Sequence, residues 1–223
     1  NSDIYDLSSI TKILASMPLI IQEYEKKNLS LDTKLNKLFP KKKLLDKADI
    51  SLKDMLSHFA RLRPWIPFYK ETLNKKEKPK NRFYKNKQRK RFSTTVSSNL
   101  FLKNKYKEDI FDLIIESELR DTLEFKYSDL PFYLFKYWIE DKYQEGLDVL
   151  ADRRIFRKLN LKNTMFNPYQ KMSIDNVVPS EKDEFFRYDK LQGYVHDEGA
   201  AMLGGISGHA GLFSNSYEVA LML

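Results

Sequence analysis

Six of the seven glycines in this chain fall between Gly193 and Ser214. Glycine adopts left-handed backbone freely and lets one main chain approach another, so the backbone must do something unusual in that stretch. Its centre reads Gly204-Gly205-Ile206-Ser207-Gly208-His209-Ala210-Gly211-Leu212-Phe213-Ser214. It is not a phosphate-binding loop, because no Gly-Lys-Ser/Thr follows. It offers close backbone contact with another segment or with a ligand, and Gly208 and His209 are candidate substrate-binding residues. A packed or capping histidine is the alternative for His209.

The remaining pattern is largely helical. Apolar residues recur at Ile10, Ile13, Leu14, Met17, Ile20 and Ile21, which predicts a helix over 9–27 with a kink at Pro18 and an end at Asn28. Ser51 followed by Asp54 predicts an N-cap close to a capping box. Helices are also expected over 108–119, over 130–143 with Ser128 or Asp129 as N-cap and Pro131 in the first turn, and over 148–159. Residues 61–69 read as an aromatic, Pro-rich loop, and 167–192 as irregular chain with one short strand at Val177-Val178. The stretch 218–223 reads as a helix with no stop signal. With Asn1 in place of a Met and no leader before the first motif, both ends are expected to be cut.

Composition narrows the function classes. Hydrophobic residues are 42% of the 223, enough for a core, and the length suits one ordinary domain or two small ones. There is no cysteine, which removes disulfides, thiolate metal sites and a Cys nucleophile. No apolar run approaches the roughly 18 residues of a membrane-spanning helix. The net charge of +8 is concentrated at 75–91, which carries ten Lys or Arg against one Glu. That run predicts a mobile, solvated loop with no apolar anchor, replaceable by a short linker. Nucleic-acid binding and a grip on an anionic cell-wall polymer are the alternatives.

Two groups of residues carry possible chemistry. Ser9-Ile10-Thr11-Lys12 is a Ser-x-x-Lys, and on a helix positions i and i+3 share a face. Serine is a poor nucleophile without a base beside it. A lysine serves as that base only once it sheds its proton, which burial and nearby positive charge favour. An N-cap serine beside a solvated lysine is the alternative. Tyr127-Ser128-Asp129 is the second group: a phenol near the lysine can shuttle a proton, and Asp129 can bind the lysine or a substrate amide. Tyr127 stands at the mouth of an apolar helix, whereas Tyr84-Lys85-Asn86 matches Tyr-x-Asn only within the basic run. His58, His196 and His209 are too scattered for a metal signature. His196-Asp197 is the one remaining zinc option, and no cofactor or metal is expected.

Taken together these segments resemble the serine β-lactamase-related family, which includes class C β-lactamases and low-molecular-weight penicillin-binding proteins. Tyr5-Asp6-Leu7-Ser8-Ser9-Ile10-Thr11-Lys12 with Leu29-Ser30-Leu31-Asp32 is similar to the family's active-site helix. Leu56-Ser57-His58, Tyr127-Ser128-Asp129-Leu130, Leu159-Asn160-Leu161-Lys162-Asn163-Thr164 and Gly205 to Ser214 resemble later motifs, in family order. Pro64 to Leu73 and Gly193 to Glu198 are similar to a subgroup of Bacteroidetes-type bacteria in which this domain is fused to a family 3 glycoside hydrolase. The chain departs from the pattern at Phe59-Ala60-Arg61 and at Pro131, and the third motif, Lys-Thr-Gly or His-x-Gly, is not found before Leu223.

The resemblance implies an α/β, β-lactamase/transpeptidase-like fold, present as a mostly helical piece lacking most of the central antiparallel sheet. It implies a serine hydrolase of exported or periplasmic location. Ser9 would attack an amide, ester or β-lactam carbonyl, Lys12 would take its proton, and Tyr127 would assist. Backbone N–H groups would hold the oxyanion, and Asp129 would bind substrate with Gly208 and His209. The substrate would be a small molecule or a cell-wall peptide, not nucleic acid. The piece alone is expected to be marginally stable and inert. A non-catalytic cell-wall-binding module on the same fold is the other reading.

Overall fold

A computed structural model describes residues 3–223. Strand β1 (Tyr5–Asp6) turns at Ser8 into a helix that starts at Ile10, passes through a π segment at Lys12–Ser16 and continues as α1 (Met17–Glu25). Next come α2 (Leu35–Leu38), α3 (Leu52–Leu56), β2 (Tyr84–Lys85), β3 (Thr94–Ser97), β4 (Leu100–Leu102) and α4 (Tyr106–Glu116). The long α5 (Leu130–Tyr143) is followed by α6 (Leu147–Ala151), which runs into a second π segment at Asp152–Phe156. The chain closes with β5 (Met165–Phe166), β6 (Glu181–Asp183), β7 (Asp189–Leu191), α7 (Glu198–Met202), β8 (Leu212–Ser214) and α8 (Ser216–Met222).

The strands form three small antiparallel sheets, ordered β1-β8-β5, β2-β4-β3 and β6-β7. The first sheet positions the site. It pairs Tyr5 with Ser214 and Asp6 with Phe213, and so holds the start of the Ser9 helix against the Gly-rich segment. The core is mainly helical. On α5, Leu130, Phe132, Leu134, Phe135, Trp138 and Ile139 are all buried. A helix that is apolar on nearly all sides belongs in an interior, and α5 lies there.

Several local expectations hold. Ser51 and Asp54 make a reciprocal capping box at α3. The bounds of α5 coincide with the apolar run, with Asp129 as N-cap and Pro131 in the first turn. The Glu108–Leu119 expectation appears as α4, shifted towards the N-terminus, and 148–159 as α6 with its π continuation.

Three readings need correction. The helix after Ser9 buries only part of the predicted apolar stripe: Leu14 and Ile20 are buried, whereas Ile10, Ile13 and Ile21 are 46%, 55% and 49% exposed. Its buried face carries Thr11, Lys12, Leu14, Ala15 and Ser16, because interior hydrogen bonds select that face. The irregularity expected at Pro18 is taken up a turn earlier, in the π segment, where the Met17 N–H reaches the Lys12 carbonyl; Pro18 has no N–H to continue the ordinary ladder. The helix ends at Glu25, and the left-handed residue that follows its cap is Lys27, at φ 59°, one residue before the expected Asn28. The basic run is not without an anchor. Tyr84 is buried in β2, and its hydroxyl lies 2.8 Å from Thr72 Oγ1. A linker replacement would therefore remove part of a small sheet. In 167–192, Val177 makes only a parallel bridge to Ile4, while the hairpin β6-β7 was not foreseen. Arg187 ties that hairpin to the next loop through Asp183 (2.6 Å) and the carbonyls of Val195 and His196.

Glu23 is the main polar junction. Its fully buried carboxylate accepts from Tyr143 Oη, Asn28 Nδ2 (2.8 Å) and Arg154 Nη1 (3.0 Å), and Lys142 Nζ is 3.2 Å away. It thus ties α1 to the end of α5 and to the second π segment. Burial alone would raise this carboxyl, but the hydrogen bonds hold it down at about 2, against an ordinary 4.5. A group depressed in this way stabilises the fold fully above pH 4.5 and loses that contribution as pH falls towards 2. Glu23→Gln should cost about 3–5 kcal/mol at neutral pH. In urea unfolding at pH 7 and pH 3, the native protein should lose stability on acidification and the variant should lose markedly less.

Gly208 shows why glycine is needed. A Cβ there would lie 2.2 Å from the Phe132 carbonyl of α5, a backbone atom that cannot move aside. Gly208→Ala should destabilise by about 1–3 kcal/mol through overpacking. Gly146→Ala, whose Cβ meets only the Asp148 side chain, should cost less in the same unfolding measurement.

Candidate active site

The site is assembled where the Ser9 helix, the start of α5 and the Gly-rich segment meet. Ser9 is exposed in the first turn. Among the described residues its N–H has no acceptor. Lys12 is enclosed, with a side chain only 4% exposed. Its Nζ donates to Ser9 Oγ at 2.8 Å and to the His209 carbonyl at 3.3 Å, and lies 2.7 Å from Asp129 Oδ1. An ammonium has three N–H donors; here Ser9 and His209 accept from it, and Asp129 faces it as the oppositely charged member of an ion pair. Asp129, expected to hold the lysine or a substrate amide, holds the lysine.

Tyr127 stands close by. Its ring centroid is 4.9 Å from Lys12 Nζ, and that of Phe132 is 5.6 Å away. Among the described residues the Tyr127 hydroxyl makes no hydrogen bond to Ser9 or Lys12; the contact is that of a cation with a ring face. The ring rests on His58, at 4.7 Å between centroids. His58 is pinned in turn. Its Nδ1 accepts from the Ser128 N–H at 3.2 Å, and its carbonyl accepts from the Lys126 N–H at 3.0 Å. Burial, then the charge of Lys12, push its imidazole below the usual range, against a smaller opposing effect of Asp129. His58 therefore sits beneath Tyr127 as a neutral ring. Sequence reasoning quoted it in Leu56-Ser57-His58 without assigning it a role.

Gly208 and His209 are not at the open face. Both are buried behind Lys12. The His209 ring is held between Asp197 and Ser207, each 2.8 Å from one of its nitrogens, and stacks on Tyr133 at 4.1 Å. Both nitrogens are engaged, so the ring cannot serve Ser9; what it presents to the site is its carbonyl. Burial would raise the Asp197 carboxyl, but His209 and the Ala200 N–H hold it well below the ordinary range. Gly208 presents its carbonyl to Ser16 Oγ at 2.7 Å. Thr11 Oγ1 accepts from the Leu212 N–H at 3.1 Å. These two bonds fasten the helix to the Gly-rich segment. The expectation that Gly208 and His209 touch substrate gives way to a supporting role for both. His196, weighed with Asp197 as a zinc pair, faces Glu181 at 3.1 Å, so the two have separate partners.

Asp6 was missed. Ser8, the residue before the nucleophile candidate, has φ 44°, a left-handed conformation uncommon for serine. Asp6 Oδ1 accepts from the Ser8 N–H at 2.8 Å, and Oδ2 accepts from the His196 N–H at 2.7 Å. One carboxylate thus clamps the turn before Ser9 to the 193–197 loop. Burial raises this carboxyl, partly opposed by those two backbone bonds. The local signal was Asp at two residues before a serine turn; the second partner lay too far along the chain to be seen.

The arrangement can therefore hold a serine hydroxyl against an enclosed lysine, with a free N–H beside it. Comparison with known proteins places it. A family model described as Beta-lactamase matches residues 2–223. Among curated proteins, an N-acetylmuramyl-L-alanine amidase of Bacillus subtilis (strain 168) is 34% identical over 109 residues, 44% of this chain and 25% of that protein. Among solved structures, a beta-lactamase/D-alanine carboxypeptidase from Yersinia pestis superposes with TM-score 0.63 at 16% identity, over 99% of this chain and 52% of that one. A D-amino acid amidase from Ochrobactrum anthropi SV3 gives TM-score 0.64 at 14% identity, over 99% and 55%. The chain thus spans about half the length of these solved structures, and they share with it the β-lactamase/transpeptidase-like fold. With the family model matched over nearly every residue, the chain belongs to the beta-lactamase family.

Proposed function

We propose that the protein is a serine hydrolase that works through an acyl-enzyme on an amide, ester or β-lactam bond, in the metabolism of cell-wall peptide or glycan. The observation that carries this reading is the enclosed Lys12 Nζ, 2.8 Å from an exposed Ser9 Oγ. In its neutral form, Lys12 accepts the Ser9 proton at that distance as Oγ attacks the carbonyl. The oxygen bears the developing negative charge, and the Ser9 N–H, at the start of a helix, is placed to donate to it. Lys12 returns the proton to the leaving amine or alcohol as the C–N or C–O bond breaks. Water then cleaves the ester formed with Ser9, with the same lysine as base.

Tyr127 is proposed as the second proton carrier, since a rotation of its ring from the face of Lys12 would bring the hydroxyl towards the leaving group. Asp129 and the His209 carbonyl keep Lys12 in place. An amide substrate is favoured by the relatives, two amidases and a beta-lactamase/D-alanine carboxypeptidase. An exported location and a family 3 glycoside hydrolase domain in the parent chain are part of the same proposal. They are supported by the likeness of Pro64 to Leu73 and Gly193 to Glu198, and the flanking coding sequence tests them.

Ser9 should be the acylated residue. The full-length protein, treated with a fluorophosphonate or a labelled penicillin and digested for mass spectrometry, should carry the adduct on Ser9, and Ser9→Ala should carry none. An adduct elsewhere, or equal labelling of the variant, overturns the proposal, and absence of any adduct leaves the fold as a binding module.

Lys12→Arg keeps a positive charge that cannot be shed at working pH. Acylation should slow by roughly 10²-fold or more, the usual contribution of a positioned base. A near-normal rate in stopped-flow labelling would reduce Lys12 to an electrostatic role.

A further inference from the structure

The basic run departs from the rest of the molecule in one respect. Segment 75–91 has an excess of nine positive charges, more than the +8 of the whole chain, so the other residues together come to −1. Elsewhere cations are commonly matched. Lys12, Lys47, Lys136, Lys142, Arg154 and Arg187 each lie within 4.0 Å of a carboxylate. Among the described residues none of the ten basic side chains of 75–91 has such a partner. Eight of the ten are exposed and two, Lys80 and Lys85, are half-buried.

These charges are held on a fixed frame. The Asn74 N–H bonds the Lys78 carbonyl and the Lys80 N–H bonds the Thr72 carbonyl. Tyr84 is locked to Thr72, β2 pairs with β4, and the Lys103 N–H bonds the Phe83 carbonyl. Arg89 and Phe92 exchange two backbone bonds, and the Asn104 N–H bonds the Arg91 carbonyl. Confining ten like charges on one small sheet raises their mutual repulsion, which a bound polyanion relieves. A frame already ordered also loses little conformational entropy on binding.

The surroundings limit the partner. Among the described residues no large apolar side chain between 66 and 122 is exposed. The patch therefore lacks the apolar anchors with which interfacial segments enter a bilayer. The aromatic rings beside it are already engaged, which leaves little to stack on bases: Lys78 Nζ lies 3.2 Å from the centroid of the Tyr188 ring and Lys85 Nζ 5.3 Å from that of Phe92. Tyr84 is buried, and Phe83 packs edge-on against Tyr106 at 5.4 Å. What remains is a comb of ammonium and guanidinium groups, suited to phosphate oxygens.

We infer that the β2-β4-β3 sheet with its basic run is a docking surface for a linear, phosphate-bearing polymer, separate from the Ser9 site. Inorganic polyphosphate is the probe, added to the full-length protein in a fluorescence or calorimetric titration. Binding should be saturable and should weaken by about 10-fold or more between 50 and 200 mM salt, as counterion release requires. The sextuple variant with Lys75, Lys76, Lys87, Arg89, Lys90 and Arg91 changed to Gln should bind at least 10-fold more weakly and label at Ser9 at the native rate. A milder variant, with only Lys87, Arg89, Lys90 and Arg91 changed to Gln, should show an intermediate loss and guards against misfolding of the first. No saturable binding at low salt, or equal binding by both variants, overturns the inference. So does preferential binding to phosphatidylglycerol vesicles, which would make the patch a membrane surface, or tighter binding to duplex DNA at matched charge, which would make it a nucleic-acid site.

Discussion

The ammonium of Lys12 is enclosed in protein, and its acceptors come to it from separate parts of the chain. Removing such a group from water costs several kcal/mol unless its donors are satisfied. Ser9 supplies one acceptor from the same helix and His209 one from the Gly-rich segment, while Asp129, at the N-cap of α5, supplies the countercharge. Three segments must therefore meet at a point. The glycines make this possible. Without a Cβ, Gly208 can lie against the Phe132 carbonyl and bring the His209 carbonyl under the helix, while Ser16 and Thr11 fasten the helix to the same segment. At Gly211, with φ +111°, a side chain would collide with the Gly205 carbonyl. Gly208 and Gly211 thus serve the close approach that buries one charge, while Gly199 and Gly205 make room for Tyr133 and Asn167.

Among the described residues, two of the ten non-glycine residues with positive φ lie at the same point. Ser8 and His58 both have positive φ, at 44° and 61°. Such residues cost about 1–3 kcal/mol each and persist only where their surroundings over-determine them. Asp6 does this for Ser8, and the Ser128 and Lys126 N–H groups do it for His58. The turn before Ser9 and the ring beneath Tyr127 are thus fixed by specific bonds, and Asp6 ties the first of them to the 193–197 loop as well. The observed strain, and not the proposed chemistry, is the ground for calling these positioning residues.

The sequence was legible where its signals are local. The capping box at Ser51, the bounds of α5, and the convergence of Ser9, Lys12, Tyr127 and Asp129 could all be read from spacing or from resemblance. It was illegible where polar groups find partners far along the chain. Periodicity marks which face of a helix is apolar, but in the Ser9 helix the buried face was selected by Thr11, Lys12 and Ser16, whose partners lie near residue 210. Asp6 with His196, Glu23 with Arg154, and Arg187 with the 195–196 carbonyls were hidden for the same reason. Tyr84 shows the reverse error. A dense charge pattern concealed one buried aromatic residue, and that residue is enough to anchor a strand.

Charge is divided between two ranges of action in this molecule. Around Ser9 and the segments packed behind it, charge is compensated at contact distance: Lys12 by Asp129 and Arg187 by Asp183. Compensated pairs produce little field beyond a few ångströms, so what happens at Ser9 depends on hydrogen-bond geometry and burial. The basic sheet is the opposite case, since among the described residues its charges have no carboxylate partners and their potential extends into solvent, falling off over about 8–10 Å at physiological salt. Anions would therefore be drawn to the sheet and would meet at Ser9 only short-range selection. A change in ionic strength acts on the first and leaves the second nearly untouched, so the two can be separated in one protein without altering a residue of either.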